Sequence, residues 1–360
     1  MVPTRVDRLR RRLAERELAG MLISQPENRR YLSGFTGSAG VLLITAERQT
    51  IATDARYYEQ VAMQCPDWEL FKVGYEFDSQ LPEVLRQLGL EGRRVGFEAG
   101  HVSVERFEHW QTAIGGRATL QATTGLVESL RQRKDESELQ AMRRAAALAD
   151  QALAHFYEWL RPGVSERQAA WELESTVRTM GAEAVAFEII VAAGPHGALP
   201  HARPTERPIQ AGEPVIVDFG CVVDGYCCDV TRTLCLGQPQ DSRYQEIWQL
   251  VLAAQETAMA GIRPGVSGAE VDSLARRVIV AAGYGEYFGH SLGHGVGLAV
   301  QEEPRLSYRN NEPLPAGAVV TIEPGIYLPG WGGVRHEDML VLSASGVEVL
   351  TQAAKPAVIY

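Results

Sequence analysis

Apolar residues fall along this chain in two rhythms, and each rhythm predicts its own kind of element. Arg5 to Leu18 carries its apolar positions at helical spacing, whereas Gly20 to Ser24, Val41 to Ile44 and Thr50 to Thr53 are short continuous runs of the kind that form buried strands. Strand and helix patterns alternating over the first third predict an α/β layer domain. The polar stretch Gln121 to Lys134 reads as a linker. Beyond it, Asp135-x-x-Glu138 has the form of a capping box. Leu139, Met142, Ala146, Ala149, Leu153, Phe156 and Leu160 then step by three and four, so a long helix with one core-facing stripe is expected. A chain of 360 residues exceeds what one core usually serves, and the pattern divides it into domains of residues 1–125 and 126–360.

The second part repeats itself. Arg161-Pro162-Gly163-Val164-Ser165 recurs as Arg263-Pro264-Gly265-Val266-Ser267, each time between two helical patterns. Ala211-Gly212 stands seven residues before Asp218, and Ala316-Gly317 seven before Glu323, both acids closing an apolar strand run. Each copy then turns and returns on a second strand bearing another acid, Asp229 in the first and Glu337 in the second. A duplicated helix-helix-strand-hairpin unit packs naturally about a pseudo-twofold axis, on which the four carboxylates would converge.

An unpaired ionised carboxylate at the inner end of an apolar strand is costly, so something positive must face these acids. By strand alternation Asp229 shares a face with Cys227 and Thr231, and Glu337 with Arg335 and Met339. One reading pairs the acids with Arg232 and Arg335 as structural ion pairs. The other makes them a hard-donor metal site, suited to Mn(II), Co(II), Fe(II) or Zn(II). Histidines favour the second. His290-Ser291-Leu292-Gly293-His294-Gly295-Val296-Gly297-Leu298 sets two imidazoles among glycines that admit close backbone approach, and His201 lies on a proline-rich loop seventeen residues before Asp218.

Composition removes several other functions. A formal charge of -10 repels phosphate backbones, and the cluster Arg8, Arg10, Arg11 and Arg12 is interrupted by Asp7, Glu15 and Glu17, so nucleic acid is not an expected partner. The first apolar run is too short for a signal segment or a membrane span, and the chain reads as cytoplasmic. Five cysteines without paired C-x-x-C spacing read as small buried hydrophobes in a reducing compartment.

Taken together these motifs resemble the pita-bread metallopeptidases, the family of methionine aminopeptidase, and within it the proline-specific branch of aminopeptidase P and prolidase. Val217-Asp218-Phe219-Gly220 and Asp229-Val230-Thr231-Arg232-Thr233 are similar to the two aspartate motifs. Gly293-His294-Gly295-Val296-Gly297-Leu298 is similar to the histidine motif, and Ile322-Glu323-Pro324-Gly325 and Val334-Arg335-His336-Glu337-Asp338 to the two glutamate motifs. Asn28 to Ser38 and Thr53-Asp54-Ala55-Arg56-Tyr57 resemble the creatinase-like domain that precedes the catalytic domain in this branch. The resemblance implies an α/β creatinase-like N-terminal domain plus an α+β pita-bread catalytic domain with an internal pseudo-twofold repeat, assembled as a homodimer in which Phe35 or Tyr57 could help shape a substrate pocket.

It also implies the chemistry. Asp218, Asp229, His294, Glu323 and Glu337 would hold two divalent ions, Mn(II) first and Co(II) or Zn(II) as alternatives, with Asp229 and Glu337 bridging. A hydroxide shared by the ions would cut the amide bond of a peptide substrate before proline. Glu323 would shuttle the proton, His290 would hydrogen-bond the carbonyl oxygen or tetrahedral intermediate, His201 would contact the substrate backbone, and Arg335 would orient Glu337 or meet a substrate carboxylate. Whether the enzyme is an aminopeptidase P or a prolidase stays open.

One position departs from the family pattern. Gln301 stands seven residues after His294, where a second histidine is usual, and an amide cannot carry a proton in catalysis. Gln301 is counted among the substrate-binding positions, and altered, non-proline or C-terminal specificity is one alternative that follows. A metal-free creatinase-like C–N hydrolase is another, and the intact ligand set speaks against it. His336, where an apolar residue is common, is expected to point away from the metals and serve the fold.

Overall fold

Three of the apolar runs of the first third form strands, and their pairing follows from how each is connected. The computed structural model describes residues 4–74 and 77–360 and divides the chain into two compact units, one ending at Arg131 and the other running from Gln132 to Tyr360. In the first unit Gly20–Ile23, Val41–Thr45 and Gln49–Thr53 pair antiparallel in turn, while Glu69–Lys72, Arg94–Glu98 and Thr119–Thr123 join as parallel neighbours. The result is one six-stranded mixed sheet. Leu22, Leu43, Val95 and Phe97 of its central strands pack with Leu81, Val84, Leu85 and Trp110 of two helices.

Two expectations are corrected here. The first helix spans Arg5–Glu15 and does not reach Leu18. Glu17 adopts a left-handed φ of 55°, and the Leu18 amide donates back to the Leu13 carbonyl at 2.9 Å, so Leu18 enters the core from a turn. The stretch read as a linker is structured: Thr119–Thr123 is an edge strand of the sheet and Glu128–Arg131 a short helix. An edge strand meets the core on one side only, so it carries too few apolar residues to stand out in the sequence.

In the second unit the repeat is carried down to individual hydrogen bonds. Helices Glu136–Trp159 and Glu166–Thr179 form the first pair, and Arg243–Gly261 and Gly268–Ala281 the second. Between them Gly163 and Gly265 turn with φ of 93° and 90°, a conformation that other residues adopt at a cost. Ser165 and Ser267 each close a capping box, with Gln168 and Glu270 respectively, and bridge to Pro208 and Pro313. Asp135 and Glu138 form the capping box anticipated for the long helix.

Each copy builds a three-strand antiparallel motif. In the first, Pro214–Phe219 lies between Ile190–Ala193 and Val230–Leu236. In the second, Val319–Ile322 lies between Gly293–Gly295 and Asp338–Ser343. Register shows how the copies diverged: Ala193 opposes Val215 and Gly295 opposes Val320, so His294 stands where the first copy has Ala192. The duplication supplies acids from both halves and an imidazole from one. Separate cores back the halves, the first built on Leu153, Phe156, Leu173 and Val217 and the second on Val251, Ala275, Ile322 and Leu340.

Candidate metal centre

The acids sit at the ends of strands. Asp218 lies within Pro214–Phe219, but Asp229 immediately precedes Val230–Leu236, Glu323 immediately follows Val319–Ile322, and Glu337 makes one isolated bridge to Thr231. These positions are where paired backbone gives way to side chains, and the four carboxylates point into the space so created. Glycine opens the way for the histidine. A Cβ on Gly293 would overlap the Thr321 carbonyl, and one on Gly295 the Glu303 carbonyl, so the strand bearing His294 slots between its neighbours only without those side chains.

Asp229, His294 and Glu337, all buried, each place a ligand atom within 4.8 Å of the others. Nε2 of His294 lies 3.3 Å from Oε1 of Glu323 and 3.6 Å from Oδ2 of Asp229. Its Nδ1 is 3.1 Å from the Gly295 carbonyl, which can only accept, so the proton sits on Nδ1 and Nε2 presents a lone pair to the acids. Thr321 steadies the arrangement from behind: its Oγ1 accepts from the His294 amide at 3.1 Å and donates to Glu323 at 3.1 Å. Thr231 Oγ1 donates to Glu337 Oε2 at 2.6 Å.

The electrostatics fit divalent cations. Burial, then repulsion from Glu337, Asp218 and Glu323, holds the Asp229 carboxyl well above the usual range, and burial with Glu323 and Asp218 does the same to Glu337. Burial raises Glu323 to about 7 and lowers His294 to about 4. Oδ1 of Asp218 is buried without a hydrogen-bond partner. Neutral imidazole, crowded carboxylates and an orphaned oxygen are the donor set of a hard or borderline cation.

Arg335 brings a guanidinium into this cluster. Its Nη2 donates to Asp218 Oδ2 at 2.6 Å, its Nε to Thr231 at 3.2 Å, and its Nη1 to the Tyr327 hydroxyl at 2.8 Å and the Pro200 carbonyl at 3.3 Å. An ion pair with Asp218 therefore exists beside the ligand set, while Arg232 turns elsewhere, to Asp338 at 2.7 Å. The Tyr327 hydroxyl continues the chain, 3.0 Å from Nε2 of His290. His290 is neutral, lowered to about 4 mainly by burial, and its Nδ1 faces the Ser291 carbonyl at 2.8 Å. Nε2 is thus an acceptor for the Tyr327 O–H, whereas the oxyanion contact expected of His290 needs a donor there.

His201 is exposed, one residue beyond the Pro200 carbonyl that Arg335 grips, and it bears electrostatically on His290. Gln301 is also exposed and accepts a hydrogen bond from Arg305. His336 is fully buried, edge-on to Trp248 at 4.8 Å, on the side of the strand away from the acids. All five cysteines are buried and free.

Sequence reasoning missed Thr231, Thr321, Tyr327 and Arg305 as parts of the site. Arg305 lies on strand Glu302–Leu306, which pairs antiparallel with Gly293–Gly295; Gly293 opposes Leu306 and Gly295 opposes Glu302 across a bulge, so Arg305 belongs to the bulged stretch opposite His294. Its charge reaches both His294 and Glu323, and no carboxylate among the described residues pairs with it.

Comparison with known proteins agrees with this geometry. Residues 140–344 match Metallopeptidase family M24 and residues 5–133 the Creatinase/Prolidase N-terminal domain. The chain belongs to metallopeptidase family M24. Among M24 relatives, the Xaa-Pro dipeptidase of Pyrococcus horikoshii is 36% identical over 93% of each chain. The solved Xaa-Pro dipeptidase from Bacillus anthracis is 40% identical over 99% of each chain with a TM-score of 0.95, and the X-Pro aminopeptidase from Thermotoga maritima 37% identical over 96% of this chain and 99% of its own, with a TM-score of 0.87. The architecture is accordingly a creatinase-type N-terminal domain with a pita-bread catalytic domain, and among the described residues no helix is long and apolar enough to cross a membrane.

Proposed function

We propose that this M24 metallopeptidase hydrolyses the amide bond preceding proline and that dipeptides are its preferred substrates. Asp218, Asp229, His294, Glu323 and Glu337 would hold two divalent ions, Mn(II) being our first choice. Such ions, when bound, acidify a water molecule and polarise the scissile carbonyl. The chain's own residues do the rest. Glu323, whose proton affinity lies near neutrality, accepts the proton of the attacking water and returns it to the leaving nitrogen. Arg335 and Thr231 fix Asp218 and Glu337 so that their oxygens need not reorganise during the reaction. The Tyr327 O–H, donated to His290, links that imidazole to Arg335, and His201 meets the substrate backbone.

The observation that carries the dipeptide reading is Arg305. An Xaa-Pro dipeptide ends in a carboxylate one residue beyond the scissile bond, whereas a longer peptide continues there with neutral backbone. A half-exposed guanidinium whose charge reaches His294 and Glu323, without a carboxylate of its own among the described residues, matches the first. Names of the relatives support proline as the second residue. The test is hydrolysis by metal-stripped, Mn(II)-reconstituted protein of Xaa-Pro, Xaa-Pro-Yaa and Xaa-Ala. Metal-dependent cleavage of Xaa-Pro, with Xaa-Pro-Yaa at least ~10-fold poorer in kcat/KM, is expected. Equal or better cleavage of Xaa-Pro-Yaa would make it an aminopeptidase P, and preference for Xaa-Ala would remove the proline assignment.

A further inference from the structure

Gln301 occupies the position at which the sequence departs from its family, and the structure gives its amide a specific neighbour. Its Oε1 accepts a hydrogen bond from Nη1 of Arg305 at 3.1 Å, across the entry of strand Glu302–Leu306. The strand is itself fixed. Gly295 and Gly293 pair with Glu302 and Leu306, Glu302 forms a buried ion pair with Lys134 at 2.8 Å, and the Arg305 amide donates to Glu303 at 3.1 Å. The backbone of Arg305, whose carbonyl also accepts from Asn310 at 2.7 Å, is thus held in the stretch opposite His294, and Gln301 is the hydrogen-bond partner of its guanidinium.

We infer that Gln301 is a positioning residue: its amide oxygen steers the Arg305 guanidinium toward the substrate's terminal carboxylate and leaves its charge intact. This rests on the dipeptide reading above. Chemistry distinguishes glutamine from the alternatives at this site. A carboxylate there would neutralise the guanidinium and compete with the substrate. An imidazole would accept from Arg305 only while unprotonated, so substrate affinity would follow its titration. An amide oxygen accepts at every pH and carries no charge, and one guanidinium edge stays available because Arg presents five donors.

Steady-state kinetics on the metal-loaded full chain test this, using an Xaa-Pro dipeptide and its C-terminal amide, which differ only in the carboxylate. Gln301→Met, of similar length and without an acceptor, should raise KM for the dipeptide about three- to tenfold, leave its kcat within about twofold, and leave the amide unchanged. Gln301→Glu should raise the dipeptide KM by at least ~10-fold and spare the amide. Gln301→His should make the dipeptide KM rise as pH falls through about 6.5, where the parent enzyme shows no such step in its dipeptide-to-amide ratio. If Gln301→Met alters both substrates equally, or neither, the positioning role is wrong. Arg305→Met separates the two layers of the argument. Loss of dipeptide-over-amide preference in Arg305→Met, with no effect of Gln301→Met, overturns the role of Gln301 alone. No effect in Arg305→Met overturns the dipeptide reading with it.

Discussion

The acids of the centre differ by what stands behind them. Glu337 is buried and receives a hydrogen bond from Thr231, while Glu323 is the more accessible and receives a longer one from Thr321. The Thr231 bond fixes Glu337 and opposes the protonation that its burial favours, whereas the looser setting of Glu323 suits a carboxylate that trades a proton. Thr231 does more than its partner suggests, because the same oxygen accepts from Arg335 and so couples Glu337 to the Asp218 ion pair. Thr231→Val keeps the shape and removes both bonds. We expect metal affinity or kcat/KM to fall about 10- to 100-fold with the fold intact. Titration calorimetry with Mn(II) beside peptidase kinetics would show it, and wild-type values for both would mean that Thr231 only fills space. None of this was legible from the sequence, since Thr231 meets Glu337 across a separation that only the folded pseudo-twofold axis closes. The four acids and the imidazole were legible for the opposite reason: each acid sits beside a local punctuation mark, a glycine turn or the end of an apolar run, that repeats in both halves, and His294 stands between glycines.

Elements matter here through the strand Glu302–Leu306, which has no counterpart in the apolar pattern that revealed the others. Its sequence reads as charged and turn-like, so Arg305 was overlooked, yet it is anchored by its pairing with Gly293–Gly295 and by a buried ion pair. Lys134, whose amide also donates to Gly317 at 2.8 Å, inserts its ammonium beside Glu302 with side chains 1% and 8% exposed. A stretch read as a linker therefore holds the catalytic domain's own edge. Removing one member of a buried pair strands the other charge, so Lys134→Met should cost about 3 kcal/mol in urea unfolding. The double variant Lys134→Met with Glu302→Met should recover part of that loss. A single variant within ~1 kcal/mol of the parent would show that the pair is screened and that the strand is held by its backbone alone. If the prediction holds, the single variant should also raise KM for dipeptides, because Arg305 rides on the displaced strand.

At the scale of the whole molecule, the centre is a store of destabilising charge that cations would convert into stability. Without cations the folded state binds protons at Asp229, Glu337 and Glu323 more tightly than the unfolded chain does, Glu323 moving from 4.5 to about 7. The stability from such raised acids is complete below their unfolded values and is lost as pH climbs through the folded ones. His290 and His294, lowered from 6.5 to about 4, act in the other sense: their contribution is present above 6.5 and lost as pH falls toward 4. The two effects oppose each other at acid pH, but above 6.5 the imidazoles no longer change and only the carboxylates remain. Metal-stripped protein should therefore lose thermal stability between pH 6.5 and about 8, by on the order of 5 °C, and Mn(II)-loaded protein should not. Paired melting curves across that range decide it. A gap that widens with pH means that the acids face cations rather than one another, whereas a stripped protein as stable at pH 8 as at 6.5 would mean that Arg335 alone suffices to hold the cluster together.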